Sequence, residues 1–376
     1  VIYLDHHAST PVDPRVVQAM LPFFTEHCGN PASLHHAAGA FANEAVETSR
    51  RQVARLIGAR SPREIIFTSG ATEAINLALK GVALAMASRG RHLITSAIEH
   101  KATLDACARL EALGFEVTRL GVDRHGRVRP QDVAAAIRPE TLMVSLLHGH
   151  NEVGTLQPIA EIGEICRDRG VLFHLDAAQT CGKVPLDVEA ARVDLCSISG
   201  HKFHGPKGVG ALYVRRHSRI VLEPILDGGG QEQGMRSGTL NVPGIVGLGV
   251  ACELAEQVME HEGERLARLR NRLFELLAEA VKGLILNGHP SDRLPGNLNV
   301  SFPGMESDDL LMRLPDLALS VGSACSSGSL EPSHSFRAMG IPDPIARSAI
   351  RFGLGRATTL DEVERAADMV IRALRT

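Results

Sequence analysis

The chain has 376 residues, is 44% hydrophobic and 22% charged, and carries a net charge of −3, the balance of a globular protein with a core. With no Trp, two Tyr and no polybasic tract, both a basic nucleic-acid footprint and an aromatic platform for single strands are disfavoured. No uninterrupted apolar run is long enough to span a bilayer, the start VIYLDHHAST lacks the layout of a signal peptide, and seven scattered cysteines without a CxxC pair point to reduced thiols in the cytoplasm.

From about residue 42 to 255, strand-like runs alternate with amphipathic helical patterns, the βα signature of a mostly parallel sheet. EIIFTSG reads as a strand and ATEAINLALKGVALA as the helix after it. Between them, Thr68 to Glu73 run through small residues into a helix start, which is an anion site by its free N–H groups and dipole. Thr72 adds a hydroxyl; an ordinary cap by Ser69 or Thr72 is the alternative. HLITSAIEH, TLMVSLLHGH and VLFHLDAAQT read as further strands, each ending in polar residues, where open α/β sheets bind ligands. Asp176, at the end of a buried strand, needs a partner. A protonated ring nitrogen, as in pyridoxal phosphate (PLP), is one; a role as a cap is equally open. After another strand, DLCSIS, comes SGHKFHGPKGVG, with Lys202 between a histidine and a run of turn-formers. A nucleophilic lysine must be partly desolvated; a solvent lysine in a hairpin is the alternative. Gly200 and Gly205 have P-loop spacing, but Pro206 stands at the lysine position, which weakens a nucleotide reading.

From about residue 256 the pattern changes. EQVMEHEGERLARLRNRLFELLAEA reads as a charged connector helix, followed by short strands, Pro/Gly turns and a last helix, LDEVERAADMVIRALRT. This predicts a smaller α+β domain of residues 1–12 and 256–376 beside a large α/β domain of residues 13–255. SVGSACSSGSLEPSHS puts Cys325 in a loop of small residues, about 320–332, an odd place for a structural cysteine. In SAIRFGLGRATT, Arg351 interrupts an alternating strand, as a holder of a substrate carboxylate or as half of a structural salt bridge. Histidine pairs such as His148/His150 and His201/His204 are not gathered with acids in a metal-binding spacing, and no metal is expected.

Taken in order, YLDHHASTPVDPRV, TSGATEAIN, HLDAAQ, SGHKFHGPKGVGALYVR, RSGTLN, GSACSSG and RFGLGR resemble the cysteine desulfurase family over nearly the whole chain. These are fold type I PLP enzymes of the class V aminotransferase group. The short cysteine loop resembles the members acting in iron–sulfur cluster assembly, including the nitrogen-fixation type. The resemblance implies that Lys202 carries PLP, Asp176 pairs with its pyridine nitrogen, and Gln179 bonds its phenolic oxygen. His100 would stack on the ring and serve in proton transfers. Thr72, Ser199, His201 and the backbone of Ala71 would hold the phosphate, with Thr239 reaching the phosphate of a neighbouring subunit in a homodimer. Asn151 and Arg351 would bind the substrate L-cysteine, and Cys325 would accept its sulfur as a persulfide, leaving L-alanine and passing the sulfur to an acceptor protein. Selenocysteine lyase and a class V aminotransferase are the rival activities.

Two departures stand out. His150 occupies a position where the family usually has Asn, and DHHAST replaces the commoner D-N-N-A-T-T. The chain also ends at RALRT, sooner than many relatives whose tail helps to dock the sulfur-receiving scaffold, so the resemblance leaves the acceptor open.

Overall fold

Seven strands form the central sheet, in the spatial order Ile65–Thr68, Gly210–Val214, Leu195–Ser199, Leu172–Asp176, Thr141–Leu147, His92–Ser96, Glu116–Leu120. The computed structural model describes residues 1–216, 220–321 and 333–375. Every neighbouring pair is parallel except those made by Gly210–Val214, which runs antiparallel to both of its neighbours. All strands but the edge strand Glu116–Leu120 are buried throughout, as expected of a sheet covered on both faces. The two-residue alternation sends Ile66, Leu93, Met143, Leu172 and Leu212 to one face, against helices Ala71–Ala85 and Lys101–Ala112. It sends Phe67, Ile94, Val144, Phe173 and Ala211 to the other, against Ala37–Leu56, Ile159–Asp168 and the first half of Val242–Ala280.

That last helix is 39 residues long and runs across the boundary expected at residue 255. Its Pro243, Gly244, Gly247 and Gly249 look like breakers in the sequence. Pro243 lies in the first turn, where no amide donor is required. Gly249 is a close approach: a Cβ there would meet Cα of Ser49 at 2.7 Å. By length and composition this helix could cross a membrane, but its apolar part is a core helix, with Ile245, Leu248, Ala251, Cys252 and Ala255 buried. Its second half carries Leu269, Leu273 and Leu277 into a separate cluster with Ile2, Leu4, Leu298, Val300, Ile350, Phe352, Val363 and Val370. That cluster is built from an antiparallel sheet, Ile285–Leu286, Asn297–Ser301 and Ala349–Gly353, a parallel pair of Ile2–Tyr3 with Leu317–Ala318, and helix Leu360–Ala373. A capping box of Thr359 with Glu362 starts the final helix.

The topology concentrates chemistry on one edge. Strands Ile65–Thr68, His92–Ser96, Thr141–Leu147, Leu172–Asp176 and Leu195–Ser199 point the same way, so the residues after each strand emerge together. Residues 5–10 form a strap between the two sheets. His6 N–H donates to Gly353 O (3.0 Å), and Thr10 N–H donates to His201 O (3.0 Å).

Gly210 closes the edge from behind: a Cβ there would lie 2.3 Å from Ile198 O and 2.7 Å from Gly70 Cα, both backbone atoms that cannot step aside. Gly210→Ala is expected to lower stability by about 1–3 kcal/mol in chemical denaturation. Gly121→Ala, where a Cβ meets nothing within 4 Å, should stay within about 0.5 kcal/mol.

Candidate active site

The strand ends, the strap and Arg351 enclose a cavity of about 400 Å³, the size of a cofactor site. Lys202 enters it from a single 3₁₀ turn, Gly200–Lys202, that follows strand Leu195–Ser199. Its Nζ donates to the carbonyl oxygens of His7 (2.8 Å) and Ala8 (2.9 Å), so it is not a solvent lysine. Gln179 stands beside it. Its Nε2 donates to His7 O (2.9 Å), while its Oε1 accepts from His7 Nδ1 (3.1 Å) and Lys183 Nζ (3.2 Å).

Asp176 ends its strand with a carboxyl that is 6% exposed and lines the cavity. Oδ1 accepts from Ala178 N–H (2.9 Å), so the residue caps the turn behind it and still faces the cavity; the two readings of this position are compatible. Burial pushes its pKa up, against the pull of that N–H, His100 and Lys202. His100 caps helix Lys101–Ala112, its Nδ1 accepting from Ala102 N–H (3.1 Å). The neutral ring therefore carries its proton on Nε2. Burial, with Lys202 and His334, lowers its pKa, while Asp176 opposes the shift. Next to it, Glu99 is buried and pushed up to about 8, first by desolvation and then by the Asp176 charge, against hydrogen bonds from Ser96 and Leu147. At neutral pH Glu99 is thus mainly the neutral acid.

The opposite wall is an anion cradle. Helix Ala71–Ala85 has Gly70 at its N-cap and so no side-chain cap; Thr72 lies inside the helix, and Ser69 N–H donates to Glu73 Oε2 (2.7 Å). Its first intrahelical bond is Ala74 N–H to Gly70 O (3.1 Å), which leaves the amides of Ala71, Thr72 and Glu73 without helical acceptors. Thr72, Ser199, His201 and Lys207 line the same space. Glu73, the one carboxylate here, is drawn aside by Arg236 (2.7 Å). His201 is bonded to Ser9 Oγ (3.2 Å) and held down at about 4 by burial and by Lys202, Lys207 and Lys183. A phosphate on the cradle, a cationic ring nitrogen at Asp176 and an aldehyde at Lys202 match the donors and charges present, so the cavity fits PLP.

Arg351, from strand Ala349–Gly353, is 1% exposed and reaches the cavity rim. Nη2 pairs with Asp5 Oδ1 (2.7 Å), Nη1 donates to Asn151 O (3.0 Å), and Nε has no partner among the described residues. Asn151 lines the cavity as well. Arg351 thus makes the salt bridge that the sequence allowed, and it also lines the cavity. Thr239 does not reach this cavity; it lies in a separate open pocket with Asn30, Leu34 and Arg50. Cys325 lies outside the described residues. His150, in place of the family Asn, sits behind the cavity. It is bonded to Ser335 Oγ (3.0 Å) and held neutral by burial, its pKa near 3. The sequence reading missed the carbonyls of His7 and Ala8, Asp5, Lys183 and Glu99. Backbone carbonyls carry no residue signature, and Asp5 meets Arg351 only through a contact 346 residues apart.

The Aminotransferase class-V family model matches residues 2–366. A cysteine desulfurase IscS of Anaeromyxobacter dehalogenans (strain 2CP-C) is 56% identical over 365 residues, which cover 97% of this chain and 90% of that protein. A cysteine desulfurase of Homo sapiens is 52% identical, with 99% of this chain and 81% of that protein covered. Among solved structures, a NifS-like protein superposes with a TM-score of 0.93 at 38% identity, covering 100% of this chain and 99% of its own. SspA in complex with cysteine superposes at 0.84 and 39% identity, covering 96% and 100%. With Lys202, a buried aspartate and an anion cradle at the strand ends, and with these relatives spanning its length, the chain belongs to the class-V aminotransferase family and, within it, to the PLP-dependent cysteine desulfurases.

Proposed function

We propose that this chain takes sulfur from L-cysteine, leaves L-alanine, and holds the sulfur as a persulfide on Cys325. The observation that carries this reading is the convergence of Lys202, Asp176, His100 and Arg351 on one cavity. When bound, PLP supplies an electron sink for the charge left at Cα after proton loss. Asp176 keeps a proton on the ring nitrogen by offering a buried carboxylate that needs a cation. The Nζ of Lys202 would take the Cα proton. The carbonyls of His7 and Ala8 set where that amine waits. Nε2–H of His100 faces the reaction as a donor. A second proton would have to go to Nδ1 and would cost the bond to Ala102, so the ring stays neutral between transfers. Arg351, aimed by Asp5, receives the α-carboxylate on the N–H groups it has left, beside Asn151.

The sulfur then goes to an acceptor protein of the cytoplasm, an iron–sulfur scaffold or another carrier. The working unit is a homodimer with the chain divided near residue 255 into a cofactor-binding part and a smaller part carrying the cysteine loop. Support for the dimer is an exposed apolar group, Leu21 56%, Phe24 61%, Leu34 62% and Phe41 50%, with Leu34 lining the pocket that also holds Thr239. In that arrangement Thr239 serves the phosphate of the second subunit.

Brief exposure to L-cysteine without reductant, followed by mass spectrometry, is expected to find added sulfur on the Cys325 peptide together with alanine. Cys325→Ala should keep its cofactor absorbance and lose both the persulfide and sulfide release. Bound PLP with no sulfur on Cys325 would move the assignment to amino transfer. Arg351→Lys keeps the charge for Asp5 but loses the fork. Its KM for L-cysteine should rise about tenfold or more, the worth of a charge-assisted hydrogen bond of roughly 1.5–3 kcal/mol, with cofactor binding unchanged.

A further inference from the structure

A second cavity lies behind the first, on the far side of Gln179 and His7. It is small, about 40 Å³, room for a water or two. Its walls come from the strap, from the turn after Asp176, from the long helix and from residues 354–356. Lys183 lies in this wall, one turn beyond Gln179. The turn is fixed by Cys181 N–H to Ala177 O (2.9 Å) and Lys183 N–H to Thr180 O (2.9 Å), which puts both side chains on one side. Gly182, between them, has φ +71° and presses against Phe203, where a Cβ would sit 2.9 Å from the ring, so the turn has little freedom to rearrange.

The hydrogen bonds settle how the Gln179 amide faces. Its oxygen has two donors, Lys183 Nζ and His7 Nδ1, and its nitrogen has the His7 carbonyl as acceptor. One N–H of the carboxamide remains, and Gln179 lines the cofactor cavity. His7 must carry its proton on Nδ1 to serve the oxygen. Its Nε2 is then a bare acceptor, buried, without a partner among the described residues, and lines the second cavity near Lys183. The His7 carbonyl also accepts from Lys202. A continuous line thus runs Lys202, His7 C=O, Gln179, Lys183.

We propose that Lys183 is a positioning residue for the reaction: its ammonium holds the Gln179 carboxamide with the N–H edge toward the cofactor's phenolic oxygen, and a water in the second cavity joins Lys183 to Nε2 of His7. This rests on the reading of the first cavity as the PLP site. Without Lys183, the carboxamide loses one of the two donors that tell its ends apart, and a flipped amide would turn a carbonyl oxygen toward the ring. Lys183 is also pushed down to about 7, first by burial and then by Lys202 and Arg351, with Cys181 and Glu262 opposing. Thr10, His6, His204, Glu262 and Arg356 complete the polar walls around it. A cation so placed is available but not firmly held, which suits a donor whose acceptor is a neutral amide.

The readout is the absorbance of bound PLP against pH, whose midpoint reports protonation of the Lys202 nitrogen in its linkage to the cofactor. A donor on the phenolic oxygen and a cation behind it both disfavour the protonated form. Lys183→Met should therefore raise the midpoint by about one pH unit, a tenfold change in the ratio of the two forms at fixed pH, and Lys183→Arg should restore most of it. Lys183→Gln, polar and of similar reach, gives the same reading should the methionine variant fold poorly. Much of the shift should vanish in a Gln179→Ala background, because the two residues act as a unit. An unchanged midpoint in the lysine variants, or an equal shift in both backgrounds, overturns the positioning role while leaving the PLP site intact. Wild-type protein that binds no PLP overturns the site and the proposal together.

Discussion

The site depends on six residues near the N-terminus that bridge two sheets. The carbonyls of His7 and Ala8 hold the Lys202 amine, His7 orients Gln179, and Asp5 pairs with Arg351. A lysine, a glutamine and an arginine from three distant parts of the chain therefore take their positions from one short strap. The strap in turn is fixed at both ends by backbone bonds, to Gly353 on the smaller sheet and to His201 beside the lysine itself. An ammonium in a partly desolvated place needs acceptors, and carbonyl oxygens provide them without adding a competing charge. A carboxylate in the same position would lock the lysine in its protonated form. Neutral acceptors hold it in place and leave its proton free to go.

The charges around the cavity follow the same logic. Cations outnumber anions on the cradle side, where a phosphate is to sit, and Arg236 draws Glu73 away from it. On the other side, Asp176 is kept distinct from its buried neighbour because Glu99 stays mainly protonated near neutral pH. Two carboxylates that close would share a proton and weaken the hold on a ring cation. Desolvation is the leading cause of the upward shift at both groups. The histidines behave alike: His100, His150 and His201 are all pushed below the ordinary imidazole range, mainly by burial, so the interior offers neutral rings. Fixed positive charge at the cavity rim is left to Arg351.

Much of this architecture was legible because it is local. Strands such as Leu172–Asp176 and the helix Ala71–Ala85 show themselves by continuous apolar runs and by periodicity, and the parallel order places their polar ends together. The long helix was only half visible, since Pro243 and its glycines imitate a break. A proline in a first turn and glycines at a close helix crossing are distinguished from breakers only by what packs against them. In the site, residues announced by chemistry at a strand end, Asp176 and Lys202, stood out, whereas those that work through backbone atoms or distant pairing did not. Asp5 within a run of small polar residues has no pattern that predicts Arg351 as its partner. Lys183 is hidden for another reason: as a lysine near a turn, it resembles a surface residue until the turn is seen to fold it beneath the cofactor wall.

A site that handles sulfur must also keep its other thiols out of the chemistry. Cys181 lies two residues beyond Gln179, and Cys196 is on the strand leading to Lys202. Both are buried, as are Cys107, Cys166 and Cys252. Burial pushes Cys107, Cys166 and Cys181 up to about 12, and raises Cys196 and Cys252 as well. A thiol attacks sulfur only as its thiolate, so at neutral pH these groups serve as small apolar fillers. For Cys181 the neighbouring Lys183 charge pulls the other way, and desolvation still prevails. Distance along the chain is therefore no guide to which cysteine reacts with substrate. What keeps a cysteine a few residues from the cofactor wall structural is loss of access to water, which the protein core denies to each of these five buried thiols.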